Sequence, residues 1–413
     1  MDAAAIERMR EIMVGSRAQQ FDFLKHLVRL PSENPPGQGA AHAEHTGLLL
    51  EDLGFQVERH PVPPELCERR GVASIINLVV RHRFGDGPVL ALQANGDTAP
   101  AGKGWKHDAF GASIEDGVMY GRGAVASKGD IAAFAFAAHA LVEAAPDGLA
   151  GTLELHITYD GESGGRLGPE WLLDNEVVAP DMVIGGGLTH AIVTHSNGYM
   201  QLDVELRGLS APAFRSEDGR DALEVASKLM TTLYGLRLGY ANTVSEVPGC
   251  GSPKLLIGGL QGGGGIGKVP DNVVLNIGRR LIPDEDPEAV ERQLTNVIGN
   301  TVAKTSGVLC RIRRPQMMPP MTPTEGTQPM IDALSRHCEA VTGEAPGTRG
   351  LPWDADGRHY ARRGIPTVLY GAGPADPAGA NIGGAEEHLD LDDLRKGTEV
   401  VALAIADLLT PQS

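Results

Sequence analysis

The feature that most limits the fold of this 413-residue chain is the alternation of short apolar runs with helical stretches in its first half. Four runs are predicted to be buried strands because they are short and apolar: INLVV, VLALQAN, LELHITY and MVIGG. Helical periodicity is found at about residues 45–53 and 129–143. Strands that alternate with helices favour an α/β layer with a largely parallel sheet.

A different pattern begins near residue 199. The segments that follow predict strand, helix, strand, strand, helix and strand, in the order YMQLDVELRG, DALEVASKLMTTLYGL, KLLIGGL, NVVLNIGRRLI, DPEAVERQLTNVIGNTVAKT and VLCRIRRP. That β-α-β-β-α-β order is typical of a ferredoxin-like unit. Helix and strand patterns resume after the proline-rich segment PQMMPPMTPTEG. The sequence therefore predicts a discontinuous α/β domain of residues 1–198 and 315–413, interrupted by a smaller domain of residues 199–314.

Composition argues against several classes of function. The chain has 36 Lys and Arg against 53 Asp and Glu, a net charge of −17, so neither nucleic acid nor an anionic membrane is an expected partner. No run of 18 uncharged apolar residues predicts a membrane span. The first residues, MDAAAIERMREIM, predict a charged amphipathic helix without the apolar core of a signal peptide. Four scattered cysteines suit a reducing compartment, and we expect a cytoplasmic protein.

Five blocks of sequence carry a resemblance to a known family. They are LVRLPSENPPG (27–37), WKHDAFGASIEDGVMYGRGAVASKGD (105–130), GLSAPAFRSEDGRDAL (208–223), GKVPDNVVLNIGRRLIP (267–283) and DGRHYARRGIPTVLYGAGP (356–374). In this order and spacing they resemble the M20 peptidases, a family that includes N-acyl-amino-acid deacylases, carboxypeptidases and succinyl-diaminopimelate desuccinylase. The resemblance implies an M20-like α/β catalytic domain with an inserted ferredoxin-like lid, through which two copies pair as a homodimer.

The resemblance also implies a two-metal hydrolase. In the family, two His and three carboxylates hold the metals, and a neighbouring Glu takes the proton from the metal-bound water. A metal supports such chemistry because it lowers the pKa of bound water and polarises the amide carbonyl.

This chain departs from that pattern at most of the ligand positions. The resemblance assigns the two His ligands to Asn95 and Gly383, the bridging Asp to Ala126, the general base to Gly161 and one carboxylate ligand to Gly187. The remaining ligand, Glu162, and the supporting Asp97 are retained. In the lid, Pro212 stands at the position of a His that holds the oxyanion, and Gly267 at the position of an Asn.

One carboxylate cannot hold zinc tightly, and Asn is a poor zinc ligand. Carboxylates that face one another without a cation repel, so the loss of the metals and of their ligands is mutually consistent. We therefore expect no metal and no other cofactor, and a polar site built from Asp97, Glu162 and Asn95 as catalytic residues. The resemblance assigns binding of the substrate carboxylate to Arg280, since a guanidinium can bind both carboxylate oxygens. We also expect Asn95, Arg215 and Gly373 to bind the substrate.

Other residues that could carry chemistry are predicted to be structural. They are His107 below the GRGA turn, His195 and Asn197 at the hinge into the lid, His388 beside Glu387, the loop cysteine Cys250, and the pair His42 and His45. GGGGIGKV (262–269) matches the P-loop spacing, but it lacks the Ser or Thr that binds magnesium, and a strand rather than a helix is predicted to follow.

Three functional hypotheses remain open from the sequence. The first is a metal-independent enzyme acting on an amino-acid-derived or N-acyl amino-acid-like carboxylate, in a biosynthetic pathway. Its chemistry would be amide or ring formation, elimination, isomerisation or metal-free hydrolysis. The second is a non-catalytic metabolite-binding or scaffold protein. The third is a zinc-dependent M20 hydrolase with displaced ligands.

Overall fold

The computed structural model describes residues 3–144, 148–305 and 307–411. The chain divides into two compact units. Unit 1 comprises residues 1–194, 323–348 and 356–413, and unit 2 comprises residues 195–322 and 349–355. Unit 2 thus begins at His195 rather than at the predicted 199 and ends at Thr322 rather than at 314, and it adds the segment Arg349–Ala355. The added segment joins unit 2 because Gly350 and Leu351 form backbone hydrogen bonds with Pro248 and Asn197.

The helices and strands are numbered in chain order. The helices are α1 (Ala3–Gly15), α2 (Arg17–Arg29), α3 (Gly39–Asp52), α4 (Pro64–Arg70), α5 (Lys128–Ala144), α6 (Pro169–Asp174), α7 (Ala222–Tyr240), α8 (Pro287–Val302), α9 (Gln328–Thr342), α10 (Gly357–Ala361) and α11 (Leu391–Leu408). The strands are β1 (Val57–Pro61), β2 (Ile76–Arg83), β3 (Val89–Asn95), β4 (Ser113–Glu115), β5 (Val118–Tyr120), β6 (Thr152–Thr158), β7 (Met182–Gly185), β8 (Ala191–Ser196), β9 (Gly198–Arg207), β10 (Lys254–Gly262), β11 (Asn272–Leu281), β12 (Leu309–Met318), β13 (Gly347–Leu351), β14 (Thr367–Leu369) and β15 (His388–Asp390).

The main sheet has the strand order β1-β2-β6-β3-β7-β14-β8-β13. Its central strands β6, β3, β7 and β14 are parallel, whereas β2 pairs antiparallel with both β1 and β6, and β8 pairs antiparallel with β14. The α/β class is confirmed, but the prediction of a largely parallel sheet holds only for the centre. A small second sheet has the order β15-β5-β4.

Helix α5 forms the centre of the core of unit 1. Its sequence KGDIAAFAFAAHALVEA is apolar on every side, and nearly all of its side chains are buried. A helix that is apolar all round is stable only when other elements surround it, and α5 packs against α1, α2, α11 and the strands β3 and β6. The helix begins directly after the GRGA turn, and β3 ends at Asn95, so this core fixes two of the segments expected to carry the site.

Unit 2 is the predicted β-α-β-β-α-β unit. Its antiparallel sheet has the order β10-β11-β9-β12, and β9 has alternating buried and half-exposed side chains as its sequence predicts. Helices α7 and α8 cover one face of the sheet, and their starts are fixed by the side chains of Asp221 and Asp286, which accept backbone N–H groups of the first turn. Such caps satisfy donors that a helix cannot satisfy itself. Within the part of the chain that the structure describes, no helix is long and apolar enough to span a membrane.

Candidate functional site

The carboxylate of Asp97 is the centre of a hydrogen-bond network at the end of β3. Its Oδ2 accepts hydrogen bonds from Asn34 Nδ2 and from the backbone N–H of Glu162, both at 3.0 Å. Its Oδ1 accepts hydrogen bonds from the backbone N–H of Gly161 at 3.0 Å and from Asn95 Nδ2 at 3.3 Å. Four donors thus surround a side chain that is 1% exposed. The network joins the PSENPPG block, the β3 terminus and the turn that carries Glu162.

Burial raises the pKa of Asp97, while the hydrogen bonds from Asn34, Glu162, Gly161 and Asn95 act in the opposite direction. Desolvation disfavours the charged carboxylate, whereas donors that point at it stabilise the charge. With both oxygens occupied, Asp97 is built to hold the turn in place. Transfer of a proton to a further partner would require one of these four donors to leave.

Glu162 and Asn95 both belong to this network, Glu162 through its backbone N–H and Asn95 through its side chain. Glu162 is exposed and belongs to the 3-10 turn Gly161–Ser163, and Asn95 is half-buried. A Cβ atom built at Gly161 would lie 2.7 Å from Asn95 Nδ2 and 2.8 Å from its Cγ. A side chain at position 161 would therefore require Asn95 to move, so the glycine and the asparagine form a compatible pair. The structure brings the three residues predicted to be catalytic together.

The other positions to which the resemblance assigns metal ligands offer no ligand atoms. Ala126 is half-buried and has only a methyl side chain. At Gly187, a Cβ would lie 2.8 Å from the backbone atoms Leu369 C and Tyr370 N, which leaves no room for a carboxylate. Gly383 is exposed and has a φ of +71°, with open space around it. Over the described residues, no group of three or more His, Cys, Asp or Glu is arranged to hold a metal ion. These residues do not fit the ligand set of a metal pair.

Asp130, in the first turn of α5, is a buried acid that was not among the predicted site residues. Its Oδ2 accepts a hydrogen bond from Ser127 Oγ at 2.8 Å, and its Oδ1 accepts one from the backbone N–H of Ala372 at 2.9 Å. A Cβ at Gly186 or Gly371 would lie under 3.0 Å from its oxygens. The side chain thus fills a space that two glycines leave for it. An acid in the first turn of a largely apolar helix was the sequence signal that could have identified it.

Burial raises the pKa of Asp130 to about 7, against the hydrogen bonds from Ala372, Ser127 and Gly187. The carboxyl is only 4% exposed. It therefore links α5 to the loop that contains Gly187 and to the turn after β14. At neutral pH, a carboxyl of this kind exists in both its protonated and its ionised form.

The GRGA turn is fixed by a buried ion pair. Arg122 Nη1 donates to Glu387 Oε2 at 2.7 Å, and both side chains are at most 2% exposed. Glu387 Oε1 accepts the backbone N–H groups of Val125 and Ala126 at 3.1 and 3.2 Å. The guanidinium also lies 5.4 Å from the ring centre of Trp105. Such a pair is costly to bury and even more costly to break, so it holds the turn and the segment before β15 in one arrangement.

Lys128, the first residue of α5, is fully buried. Its Nζ donates to the carbonyl oxygens of Leu27 and Leu30, at 2.8 and 3.2 Å, at the end of α2. Burial lowers its pKa to about 7, and the charges of Glu387, Asp97 and Glu33 oppose that effect. A cation at the carboxyl end of a helix is electrostatically favourable, which gives Lys128 a structural role.

The residues predicted to bind substrate occupy both units. In unit 2, Arg280 lies on β11, where it is ion-paired with Asp354 and lies 5.2 Å from the ring centre of Tyr199. Arg215 lies in the 3-10 segment Ala213–Asp218, with its side chain 62% exposed and paired with Asp218. In unit 1, the backbone N–H of Gly373 donates to the Gly187 carbonyl at 2.8 Å. No sequence pattern predicts Asp354 as the partner of Arg280.

The remaining polar candidates take up structural contacts. His107 lies between the carboxylates of Glu386 and Glu115, at 2.8 and 3.2 Å. Cys250 is 1% exposed, and burial raises the pKa of its thiol to about 11, which disfavours a nucleophilic thiolate. Asn197 is buried and its Nδ2 donates to the Cys250 carbonyl. The glycine-rich segment 262–269 leads into strand β11, so it lacks the helix of a P-loop.

The remaining histidines are also accounted for by contacts within the fold. His42 is buried and contacts Tyr159, whereas His45 faces the ring of His26. His388 contacts the Glu386 carbonyl. Burial lowers the pKa of His195, and the charge of Asp284 opposes that effect.

Comparison with known proteins identifies the fold and the family. Over 160 residues, the chain is 37% identical to the succinyl-diaminopimelate desuccinylase of Acidiphilium cryptum (strain JF-5), an alignment that spans 39% of this chain and only 38% of that relative. Similar solved structures include the di-peptidase Dug1p from Saccharomyces cerevisiae, with a TM-score of 0.77, 12% identity and 99% coverage of both chains. Human carnosine dipeptidase 1 has a TM-score of 0.75, 16% identity and coverage of 98% of this chain and 99% of that one.

The M20 metallo-carboxypeptidase Sso-CP2 from Sulfolobus solfataricus has a TM-score of 0.74, 18% identity and coverage of 94% of this chain and 98% of that one. At these identities the three structures show a common fold. The profile of peptidase family M20/M25/M40 matches residues 91–407. Because that match spans well over half of the chain, the protein belongs to the M20/M25/M40 peptidase family.

Proposed function

We propose that this M20-family protein acts on an amino-acid-derived or N-acyl amino-acid-like carboxylate without the metal pair of its family. The observation that carries the proposal is the residue set at the expected ligand positions. Asn95, Ala126, Gly187 and Gly383 offer no carboxylate or imidazole, and the backbone of Leu369 and Tyr370 closes the space beside Gly187.

The proposed roles follow from the contacts. Glu162 is exposed while its backbone is held by Asp97, so it is the proposed acid–base residue, since such a group must reach the substrate from a fixed position. Asn95 is the proposed polar contact to the substrate. Asp97 is a proposed positioning residue, because its oxygens already accept four hydrogen bonds. The reactions that Glu162 could support are proton transfers in amide or ring formation, elimination, isomerisation or metal-free hydrolysis.

Arg280 is the proposed partner of the substrate carboxylate, with Arg215 and Gly373 as further binding residues. Its guanidinium already pairs with Asp354, so a substrate carboxylate would have to replace or share that partner. Arginine can accommodate two acceptors because its donors point in several directions. An Arg280→Gln variant is expected to raise KM more than it lowers kcat.

The name of the Acidiphilium relative suggests the first substrates to test. That protein is named for removal of a succinyl group from diaminopimelate. Succinylated and acetylated amino acids, together with dipeptides, therefore form the initial panel. A homodimer formed through unit 2, a cytoplasmic location and a place in biosynthesis remain parts of the proposal.

The first experiment is elemental analysis of the purified full chain after incubation with excess zinc and removal of unbound metal. Retention of about two equivalents of zinc per chain would overturn the proposal in favour of a zinc-dependent hydrolase with displaced ligands, because hydrolysis at a two-metal site requires a pair of bound ions. Retention of none supports it.

The second experiment measures turnover of the substrate panel by Glu162→Gln, with Glu11→Gln as the matched control because Glu11 is exposed and lies on α1. Loss of turnover of about 100-fold or more in the first variant alone supports an acid–base role. Equal turnover in both variants contradicts it. Saturable binding of panel members without any turnover would instead favour the metabolite-binding protein.

A further inference from the structure

A cavity in unit 1 combines several arginines with an aromatic side chain in its lining. It has a volume of about 420 Å³, within the range of small-molecule sites. Its wall combines three arginines, Arg69, Arg70 and Arg166, with Trp171 and Leu66. Arg69 and Arg70 end α4, Arg166 lies in the loop before α6, and Trp171 lies within α6.

The charge of this cavity is opposite to that of the chain. Three arginines face one acid, Asp174, in its lining, whereas the whole chain carries −17. Asp174 is already paired with Arg363. Arg69 and Arg70 are exposed, and over the described residues neither forms an ion pair or a side-chain hydrogen bond. The cavity therefore has an unbalanced positive charge.

The environment of Arg166 supports this reading. Burial and the nearby charges of Arg70, Arg358 and Arg362 lower its pKa, whereas the charge of Glu170, at 4.0 Å, raises it. Like charges that approach one another raise the free energy of the folded state unless a counter-charge is supplied. An anion bound among these arginines would supply it.

We propose that this cavity binds a small organic phosphate. A phosphate ester carries close to two negative charges and three acceptor oxygens at neutral pH, which matches several guanidinium groups better than a single carboxylate does. The half-buried side chains of Trp171 and Leu66 provide an apolar surface for the organic part of the phosphate ester. The proposal concerns a site separate from Glu162 and does not depend on the proposed function.

The site has a structural link to the turn that carries Glu162. Arg166 and Glu162 lie four residues apart on one loop. That loop is held by backbone hydrogen bonds from Gly165 to the Asp160 carbonyl at 2.8 Å and by Asn77 Nδ2, which donates to the Leu167 carbonyl at 2.8 Å. Bound phosphate is therefore expected to slow hydrogen exchange in residues 161–168 as well as in residues 64–71.

The test is calorimetric titration of the full chain with inorganic pyrophosphate, AMP and citrate. The matched variants are Arg69→Gln/Arg70→Gln and the control Arg17→Gln/Arg311→Gln, which removes the same charge from exposed arginines elsewhere. We expect AMP and pyrophosphate to bind, and the first double variant to weaken binding by about tenfold or more while the control does not. AMP binding should also change the fluorescence of Trp171, an effect absent in Trp171→Phe.

Three results would overturn the proposal. One is the absence of saturable binding of AMP and pyrophosphate. Another is equal weakening in the two double variants, which would mean that only net charge matters. The third is binding of citrate as tight as that of pyrophosphate, which would make the site a general polyanion site. Slower exchange in residues 64–71 and 161–168 with AMP supports it, and unchanged exchange there contradicts it.

Discussion

The pH dependence of stability at Asp130 gives the sharpest test of the structure. Its carboxyl is enclosed by Ser127, Ala372 and the glycines of two neighbouring loops. An Asp130→Asn substitution keeps the size of the side chain. The amide oxygen of the new residue can accept the backbone N–H groups, and its amide nitrogen can donate to Ser127 Oγ. The variant thus removes the charge while the packing stays the same.

The magnitude follows from the pKa. The carboxyl has a pKa of about 7 in the folded protein against an ordinary value of 3.8, and each tenfold change in proton affinity is about 1.4 kcal/mol. The pKa of Asp130 is higher in the folded protein than in the unfolded chain. Its contribution to the free energy of unfolding is therefore fully present below pH 3.8 and is lost as the pH rises through about 7. The wild type should therefore lose about 4 kcal/mol relative to the variant across that window.

The assay is urea unfolding at several pH values from 4.5 to 8.5, roughly the range in which such groups titrate, followed by circular dichroism and fluorescence. Coincident transitions are required before a free energy of unfolding is extracted. The quantity of interest is the difference between Asp130→Asn and wild type, because Asp97, Lys128 and Asp160 also titrate in the folded protein. The control is Asp52→Asn, at an exposed position of α3.

The expected difference rises with pH and levels off above about 7, whereas the control difference stays flat. A difference that is constant over the whole range would refute the reasoning. It would mean that Asp130 is ionised throughout and that its hydrogen bonds from Ala372, Ser127 and Gly187 fully offset its burial.

Three further predictions concern the framework of the site. Glu387→Gln should lower the free energy of unfolding by about 3–5 kcal/mol, since it leaves Arg122 buried without its counter-charge; an unchanged urea midpoint would contradict this. Gly187→Ala should lower the free energy of unfolding by about 1–3 kcal/mol, because the new Cβ would clash with backbone atoms. Gly383→Ala should lower it less, by about 1 kcal/mol, because only the positive φ opposes a side chain there. The reverse order would contradict the crowding described at Gly187. Cys250 should not react with a thiol reagent at pH 8 in the folded protein, and rapid labelling there would contradict its burial.

Local patterns were sufficient to predict most of the elements. The VLALQAN run became β3, and the segments around α5, α7 and α8 became helices because their apolar spacing and caps agree with their surroundings. Errors arose where pairing depends on distant strands: the direction of β2 and β8 is decided by their neighbours in the sheet and not by their own residues. The boundary of unit 2 also shifted, because a backbone hydrogen bond to Pro248 includes Gly350 in it.

Some features of the candidate site could likewise be predicted from the sequence, and others could not. The proximity of Asn95, Asp97 and Glu162 could be expected because the family resemblance assigns all three to one site. Asp130 and the Asp354 partner of Arg280 could not, since their contacts join segments more than seventy residues apart. The arginine cavity was also missed, because Arg69 and Arg70 meet Arg166 only in the fold.

By itself, the sequence determined the α/β class, the inserted β-α-β-β-α-β unit and the residue types at each expected ligand position. These depend on local spacing and on side-chain chemistry, which act along the chain. The tertiary structure alone decided that Asp97 is saturated with donors, that Gly187 has no space beside it and that three arginines share one cavity. Burial, exclusion of side chains and electrostatic coupling depend on atoms brought together from distant segments, so no local pattern encodes them.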